Sequence, residues 1–271
     1  MKILLENDGN TNVISKAGAT PLCLAAVNSS ESKIQGTKII KILLEHGANP
    51  NFTGDRGCLV IQMAILKNES SAALNNLQLL LQNGGNPNII DETGRCLVHY
   101  AAENVSETAP EKMKIILENG GDICNKIGET PMHYVAMNSG IHAHKLLRIL
   151  FEHGGDPKAS GYILKQTPLH RTAMAAIRNE NHQVRFDITS QLLEKGGNPN
   201  AADFIGWTPD HYGISTAKTI EELKMLKLLL EHGGNILQED KCGFTPYHIS
   251  IRIGSEHCHP EVKKHIEKTL R

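Results

Sequence analysis

Fourteen histidines and six cysteines are the residues of this 271-residue chain most able to do chemistry. His257-Cys258-His259 offers imidazole and thiolate, the donor types that hold zinc. Three donors in a row cannot all face one ion, however, and no second ligand pair stands at a zinc-like spacing. His142 and His144 would have to join from elsewhere in the fold. Gly84-Gly85-Asn86 and its copies resemble phosphate loops at a glance. They recur at the carbonyl end of a predicted helix, where the dipole disfavours an anion. No nucleophile elbow, Walker loop, dinucleotide fingerprint or H-E-x-x-H motif is present. The expectation is therefore no enzyme, no cofactor and no metal. The alternative is an enzyme or metal-binding protein using His257, Cys258 and His259, and metal analysis of the purified protein separates the two.

Composition narrows the class further. With 28 Lys+Arg against 29 Asp+Glu, the net charge of −1 suits neither nucleic acid nor a polybasic membrane contact. Hydrophobic residues at 40% and charged residues at 21% are a globular mix, while aromatic residues at 4% are scarce. No run approaches the ~18 apolar residues of a membrane span, and the three-residue apolar run after Met1-Lys2 is too short for a secretory signal. Cys23, Cys58, Cys96, Cys124, Cys242 and Cys258 form no C-x-x-C pair, so buried thiols in a reducing cytoplasm are expected.

The elements that must position these residues repeat. Thr20-Pro21-Leu22, Thr130-Pro131-Met132-His133, Thr167-Pro168-Leu169-His170, Thr208-Pro209-Asp210-His211 and Thr245-Pro246-Tyr247-His248 are copies, with weaker ones at Leu59-Val60-Ile61-Gln62 and Cys96-Leu97-Val98-His99. The Thr-equivalent positions 20, 59, 96, 130, 167, 208 and 245 are spaced by 39, 37, 34, 37, 41 and 37 residues. A second signature follows each copy, as in Leu43-Leu44-Glu45-His46-Gly47-Ala48-Asn49 and Leu230-Glu231-His232-Gly233-Gly234-Asn235. Thr before Pro predicts a capped helix start, and apolar spacing over 38–45 and 223–230 predicts a second helix. Small pairs such as Ala25-Ala26 and Ala101-Ala102 let the two helices lie close. Gly47, Gly84, Gly120, Gly154, Gly196 and Gly233 then end the second helix as left-handed caps, with His46, His153 and His232 at its carbonyl end. Between units, stretches such as Asp203-Phe204-Ile205-Gly206 predict hairpin tips.

Thr-Pro-Leu-His-x-Ala-Ala followed by Leu-Leu-Leu-Glu-x-Gly-Ala-Asn resembles the ankyrin repeat across nearly the whole chain. The resemblance implies an all-α solenoid of helix pairs with short β-hairpin-like fingers. Ankyrin units normally span 33 residues, and every step here is longer. The surplus falls between the helices of a pair, in Asn28-Ser29-Ser30-Glu31-Ser32 and Asn179-Glu180-Asn181-His182. The expected organisation is a single domain over 1–271: a half repeat at 1–14, repeats starting near 18, 57, 94, 128, 165, 206 and 243, and a capping helix over 260–271. The resemblance also gives His99, His133, His170, His211 and His248 a structural role, bonding to nearby backbone and Thr groups.

Ankyrin stacks present a concave face of finger tips and first helices, and rigid faces of this kind bind proteins. Interface anchors favour large side chains, and in this chain those at variable frame positions cluster in the carboxyl half. They are Ile127 in one finger, Tyr162, Ile163 and Leu164 in the next, then Phe204, Ile205 and Trp207, with Phe244 at the Trp207 position one repeat on. Met137 and Met174 follow the small pair of their first helices. Packing of finger against finger is the competing use of the same residues. The implied function is a protein-interaction scaffold, monomeric, with another protein as its partner. In its Ile- and Asn-rich, aromatic-poor style the chain is similar to ankyrin-repeat effectors that intracellular bacteria deliver into host cells. A eukaryotic or viral adaptor is the alternative setting.

Overall fold

Each Thr-Pro pair opens a helix, and each Gly that follows closes the helix paired with it. A computed structural model describes residues 9–16, 18–28, 33–52, 60–66, 71–123, 128–175, 181–216 and 219–252, with residues 261, 264 and 268. Among the described residues there are helices, turns and extended links, and no strand. The chain divides into two units, Met1–Asn125 and Lys126–Arg271.

In the first unit α1 (Pro21–Asn28) pairs with α2 (Lys33–Glu45), α3 (Val60–Leu66) with α4 (Ser71–Gln82), and α5 (Leu97–Glu103) with α6 (Ala109–Glu118). First helices stack on first helices, α1 on α3 on α5, and second helices likewise, α2 on α4 on α6. The second unit repeats the plan. Its pairs are α7 (Pro131–Ala136) with α8 (Ala143–Glu152), α9 (Pro168–Met174) with α10 (His182–Glu194), and α11 (Pro209–Thr216) with α12 (Ile220–Glu231). A further first helix, α13 (Pro246–Arg252), packs on α11. Within each unit the core is a set of thin apolar layers between paired helices. Ala26, Ala101 and Ala102 are fully buried in first helices, and Leu43, Leu80, Ile116, Leu150, Leu192 and Leu229 are buried in second helices.

The caps form as the sequence predicts. Gly84 has φ +87, and Gly85 N–H donates to Leu80 O at 2.9 Å, closing α4. The second Gly of the pair has a different use. A Cβ on Gly197 would lie 3.0 Å from Leu169 Cδ1, so its absence lets α9 lie against the end of α10. His46, His153 and His232 each place Nδ1 2.8 to 2.9 Å from the carbonyl four residues earlier, serving the exposed carbonyl end. The capping helix expected over 260–271 falls largely outside the described residues. Glu261, Lys264 and Lys268 are helical, with Lys264 Nζ 3.9 Å from Glu261. Residues 1–8 of the half repeat also lie outside them.

An asparagine bracket, not anticipated from sequence, ties one repeat to the next at four junctions. Asn88 donates its amide to Gly120 O at 2.8 Å and accepts from Asp122 N–H at 2.7 Å. Asn12 does the same with Gly47 and Asn49, Asn51 with Gly84 and Asn86, and Asn200 with Gly233 and Asn235. The copy at 124 is Cys, and the copy at 158 is Lys. The turn beneath it is still set, since Lys158 N–H donates to Asp156 Oδ1 at 2.8 Å as Asn51 N–H does to Asn49. Lys158→Asn should therefore restore two hydrogen bonds across that junction and raise the unfolding free energy by about 0.5–1.5 kcal/mol. Asn88→Ala should lower it by a similar amount. Urea titrations of both variants check this, and a destabilised Lys158→Asn would refute the bracket as the cause.

Candidate protein-binding face

The fingers of the second unit are built by their corner acids. Asp203 Oδ1 accepts N–H bonds from Ile205 and Trp207, both at 2.9 Å, and its Oδ2 accepts the Tyr212 hydroxyl at 2.7 Å. Asp240 repeats the turn with Cys242 and Phe244, at 2.8 and 2.9 Å, and its Oδ2 accepts the Trp207 indole N–H at 3.0 Å. Partial desolvation pushes the Asp240 carboxyl up, but the N–H bonds from Phe244, Cys242 and Trp207 outweigh it and hold the group below the usual carboxylate range. Asp91 makes the same turn in the first unit with Thr93 and Arg95, and it too accepts a hydroxyl from a tyrosine nine residues on, Tyr100.

Neighbouring tips are bonded through the backbone. Phe204 N–H donates to Leu164 O at 2.9 Å, and Lys241 N–H donates to Ile205 O at 3.2 Å. Gly206 makes the second contact possible, since a Cβ there would stand 2.7 Å from Lys241 N. The finger at 161–166 is one residue longer than its neighbours. Gly161 N–H donates to Gln166 O at 2.8 Å and Lys165 N–H to Gly161 O at 3.1 Å. Lys165 sits at φ 56, in the position that carries Gly in the other fingers.

The structure brings most of the expected residues onto these tips. Tyr162 is 74% exposed, Ile163 77% and Phe204 60%, with Leu164, Ile205 and Phe244 also exposed. Trp207 is placed differently. Half-buried, it bonds Asp240, stacks on His211 at 5.8 Å and meets Tyr212 edge-on at 4.9 Å. Gln166 Nε2 donates to the Tyr212 hydroxyl at 2.9 Å and completes the cluster. Burial, then the adjacent Asp203 carboxylate, push the Tyr212 phenol up to about 12, so it stays protonated as the donor. Met137 and Met174 are half-buried at the ends of α7 and α9. Ile127 lies outside the described residues, as do His257, Cys258 and His259.

Two tip residues were not singled out by sequence. The Lys165 ammonium stands 5.6 Å from the Tyr162 ring centre, and that of Lys241 4.8 Å from the Phe204 ring centre. The signal for Lys165 was its occupation of a Gly position. Elsewhere, Cys96 Sγ lies 3.1 Å from His99 Nδ1, an arrangement that suggests a nucleophile until its setting is weighed. Burial pushes that thiol up, so it stays protonated and stands where other repeats carry Thr. Among the described residues no three metal-binding side chains converge, and no helix is long and apolar enough to cross a membrane.

Residues 69–161 match a family model described as ankyrin repeats in three copies, and residues 17–55 match the model of a single ankyrin repeat. No curated protein matches the sequence. Among solved structures, the chain is similar to the ankyrin repeat domain of Bcl-3, described as a unique member of the IkappaB protein family. The TM-score is 0.66 at 19% identity, covering 93% of this chain and 100% of that one. That likeness concerns the fold, and it agrees with the paired helices, glycine caps and zipped fingers. The chain carries ankyrin repeats over residues 17–55 and 69–161, and the described helix pairs beyond them keep the same plan.

Proposed function

We propose that this protein is a non-enzymatic scaffold that grips another protein through the finger tips of its second unit. One observation carries the reading: Tyr162, Ile163, Leu164, Phe204, Ile205 and Phe244 are exposed together on fingers whose backbones are hydrogen-bonded to one another. A single exposed leucine is ordinary, whereas a run of large apolar groups on a pre-formed frame is the composition of an interface core. Corner bonds and backbone links hold the fingers before any partner arrives, so little conformational freedom is lost on association. Trp207 serves as a strut that orients the tips and as a flank of the same face.

The test replaces Tyr162 and Phe204 together by Ala. Neither ring is buried, so thermal stability should change by less than ~0.5 kcal/mol. Partners crosslinked to the wild-type protein and identified by mass spectrometry should be lost, with affinity for the purified partner falling at least ~10-fold. Unchanged affinity would refute the assignment of this face. The protein is proposed to act as a monomer in the cytoplasm. Its proposed setting, delivery by an intracellular bacterium into a host cell, rests on sequence style and is tested by a translocation assay. The second reading, a metal site at His257, Cys258 and His259, has its own test in metal analysis.

A further inference from the structure

The tip patch turns its corner acids inward and leaves its two lysines exposed. Both corner acids spend their oxygens inside the fold, Asp203 on two backbone N–H groups and Tyr212, Asp240 on two N–H groups and Trp207. Glu129 is paired with Arg171. Lys165 and Lys241 lean over aromatic rings with no carboxylate in ion-pair reach among the described residues. Glu239, two residues before Lys241, is the exposed acid nearest to it in the chain.

Lys165 adds an independent observation. The fingers at Gly18, Gly94, Gly206 and Gly243 all use glycine at positive φ in this position. Lys165 adopts φ 56 with a Cβ, a conformation that L-residues other than Gly, Asn and Asp seldom take. A strained residue at a surface tip, where Gly would relieve the strain, points to a use for the side chain itself.

We infer that these tips take a polypeptide segment in which apolar side chains alternate with carboxylates. The apolar groups settle on Tyr162, Ile163 and Phe204, and the carboxylates reach Lys165 and Lys241. The inference rests on the finger tips being the binding face and adds the chemistry of what binds there. The rings beneath the two ammonium groups place them at the edge of the apolar patch, within reach of a carboxylate bound beside it. Two lysines fall short of the roughly four to eight that hold a protein on an anionic membrane, so a peptide is the better fit.

The experiment selects a displayed library of random twelve-residue peptides on the full-length protein. It then measures the enriched peptides, made synthetically, against wild type and a Lys165→Gly/Lys241→Ala double variant. Lys165→Gly removes backbone strain, so reduced binding cannot be charged to unfolding, and thermal melts confirm this. The expected result is enrichment of Asp or Glu beside Leu, Ile, Phe or Trp. Affinity should fall about tenfold in the double variant at low salt, with a smaller difference at high salt. Enrichment of basic or neutral peptides, an acidic peptide indifferent to the double variant, or an empty selection overturns the inference. So does binding to phosphatidylserine vesicles that the same variant abolishes. If neutral peptides are enriched and still lose affinity on Tyr162→Ala/Phe204→Ala, the binding face stands and only its charge preference falls. If neither variant affects any peptide, both readings fall.

Discussion

Asp210→Leu is expected to raise the unfolding free energy by about 2–4 kcal/mol, and by more at pH 8 than at pH 5. Asp210 occupies the position that carries Leu22, Met132 and Leu169 in other repeats. It is fully buried on α11, one turn before Ile214, which packs with Leu223, Leu226 and Ile236 in an apolar cluster. Its Oδ2 lies against Gly234, 2.7 Å from where a Cβ would stand. Neither carboxyl oxygen finds a hydrogen-bond partner among the described residues. Burying such a group costs several kcal/mol, and burial alone raises its pKa from 3.8 to about 7.

The sign follows from proton binding. The folded state holds its proton up to about pH 7, while the unfolded chain releases it near 3.8. Stability from this group is therefore complete below pH 3.8 and is lost as pH rises towards 7, on the order of 1.4 kcal/mol per pH unit at most within that window. Asp210→Asn should remove the pH dependence with little change in volume, and Asp210→Leu should also recover the apolar contact. Urea titrations at both pH values measure this. A gain equal at pH 5 and pH 8, or a loss, would contradict a buried acid without a partner. Because repeats contribute nearly independently to stability, the gain should appear in the carboxyl-terminal repeats, where hydrogen exchange of α11 and α12 should slow.

The division between what the sequence revealed and what it hid has a physical basis. Helix starts, stops and turns are decided by residues within about four positions of one another, and these were legible. Thr130 before Pro131 opened α7, Gly196 closed α10, and Asp203 folded back on Ile205 and Trp207. Contacts between repeats join residues more than thirty positions apart, and a single sequence does not display them. The Asn88 bracket to Gly120 and Asp122 is of this kind. So is the Trp207 indole on Asp240, which gave a variable-looking tryptophan a structural partner in the next finger. Asp210 was visible as a break in the Thr-Pro-Leu-His pattern, but its burial beside Gly234 needed coordinates to be seen. Lys165 was visible as a missing glycine. Its left-handed backbone and its place over Tyr162 were not.

Loss of the His170 imidazole should cost about 3 kcal/mol, and acidification should reach the same bonds by another route. Thr167 points both its N–H, at 3.0 Å, and its hydroxyl, at 2.9 Å, at His170 Nδ1, so that nitrogen accepts and carries no proton. The proton is then on Nε2, which donates to Trp207 O in the next finger at 3.0 Å. His133 makes the same link to Gln166 O at 2.9 Å, and His211 to Phe244 O at 3.2 Å. One neutral tautomer thus fastens a helix start to the following finger at three successive junctions. His170→Ala strands the Thr167 N–H and the Trp207 carbonyl and leaves a void, which sets the expected cost. Burial lowers the pKa of all three imidazoles, and the carbonyl bonds only partly offset it. The folded values therefore lie below the 6.5 of the unfolded chain. Their contribution to stability is complete above pH 6.5 and is lost as pH falls below it, opposite in sign to that of Asp210. In an Asp210→Asn background the histidine slope should stand out above the carboxylate range, where Asp91 and Asp240 do not yet titrate, with stability falling steadily on acidification and falling less steeply once His170→Ala is added. An unchanged slope would show that His170 is not among the groups that titrate on unfolding. The same His170→Ala variant should also weaken peptide capture at Phe204 and Ile205, because the finger that carries them hangs from the Trp207 carbonyl that His170 holds.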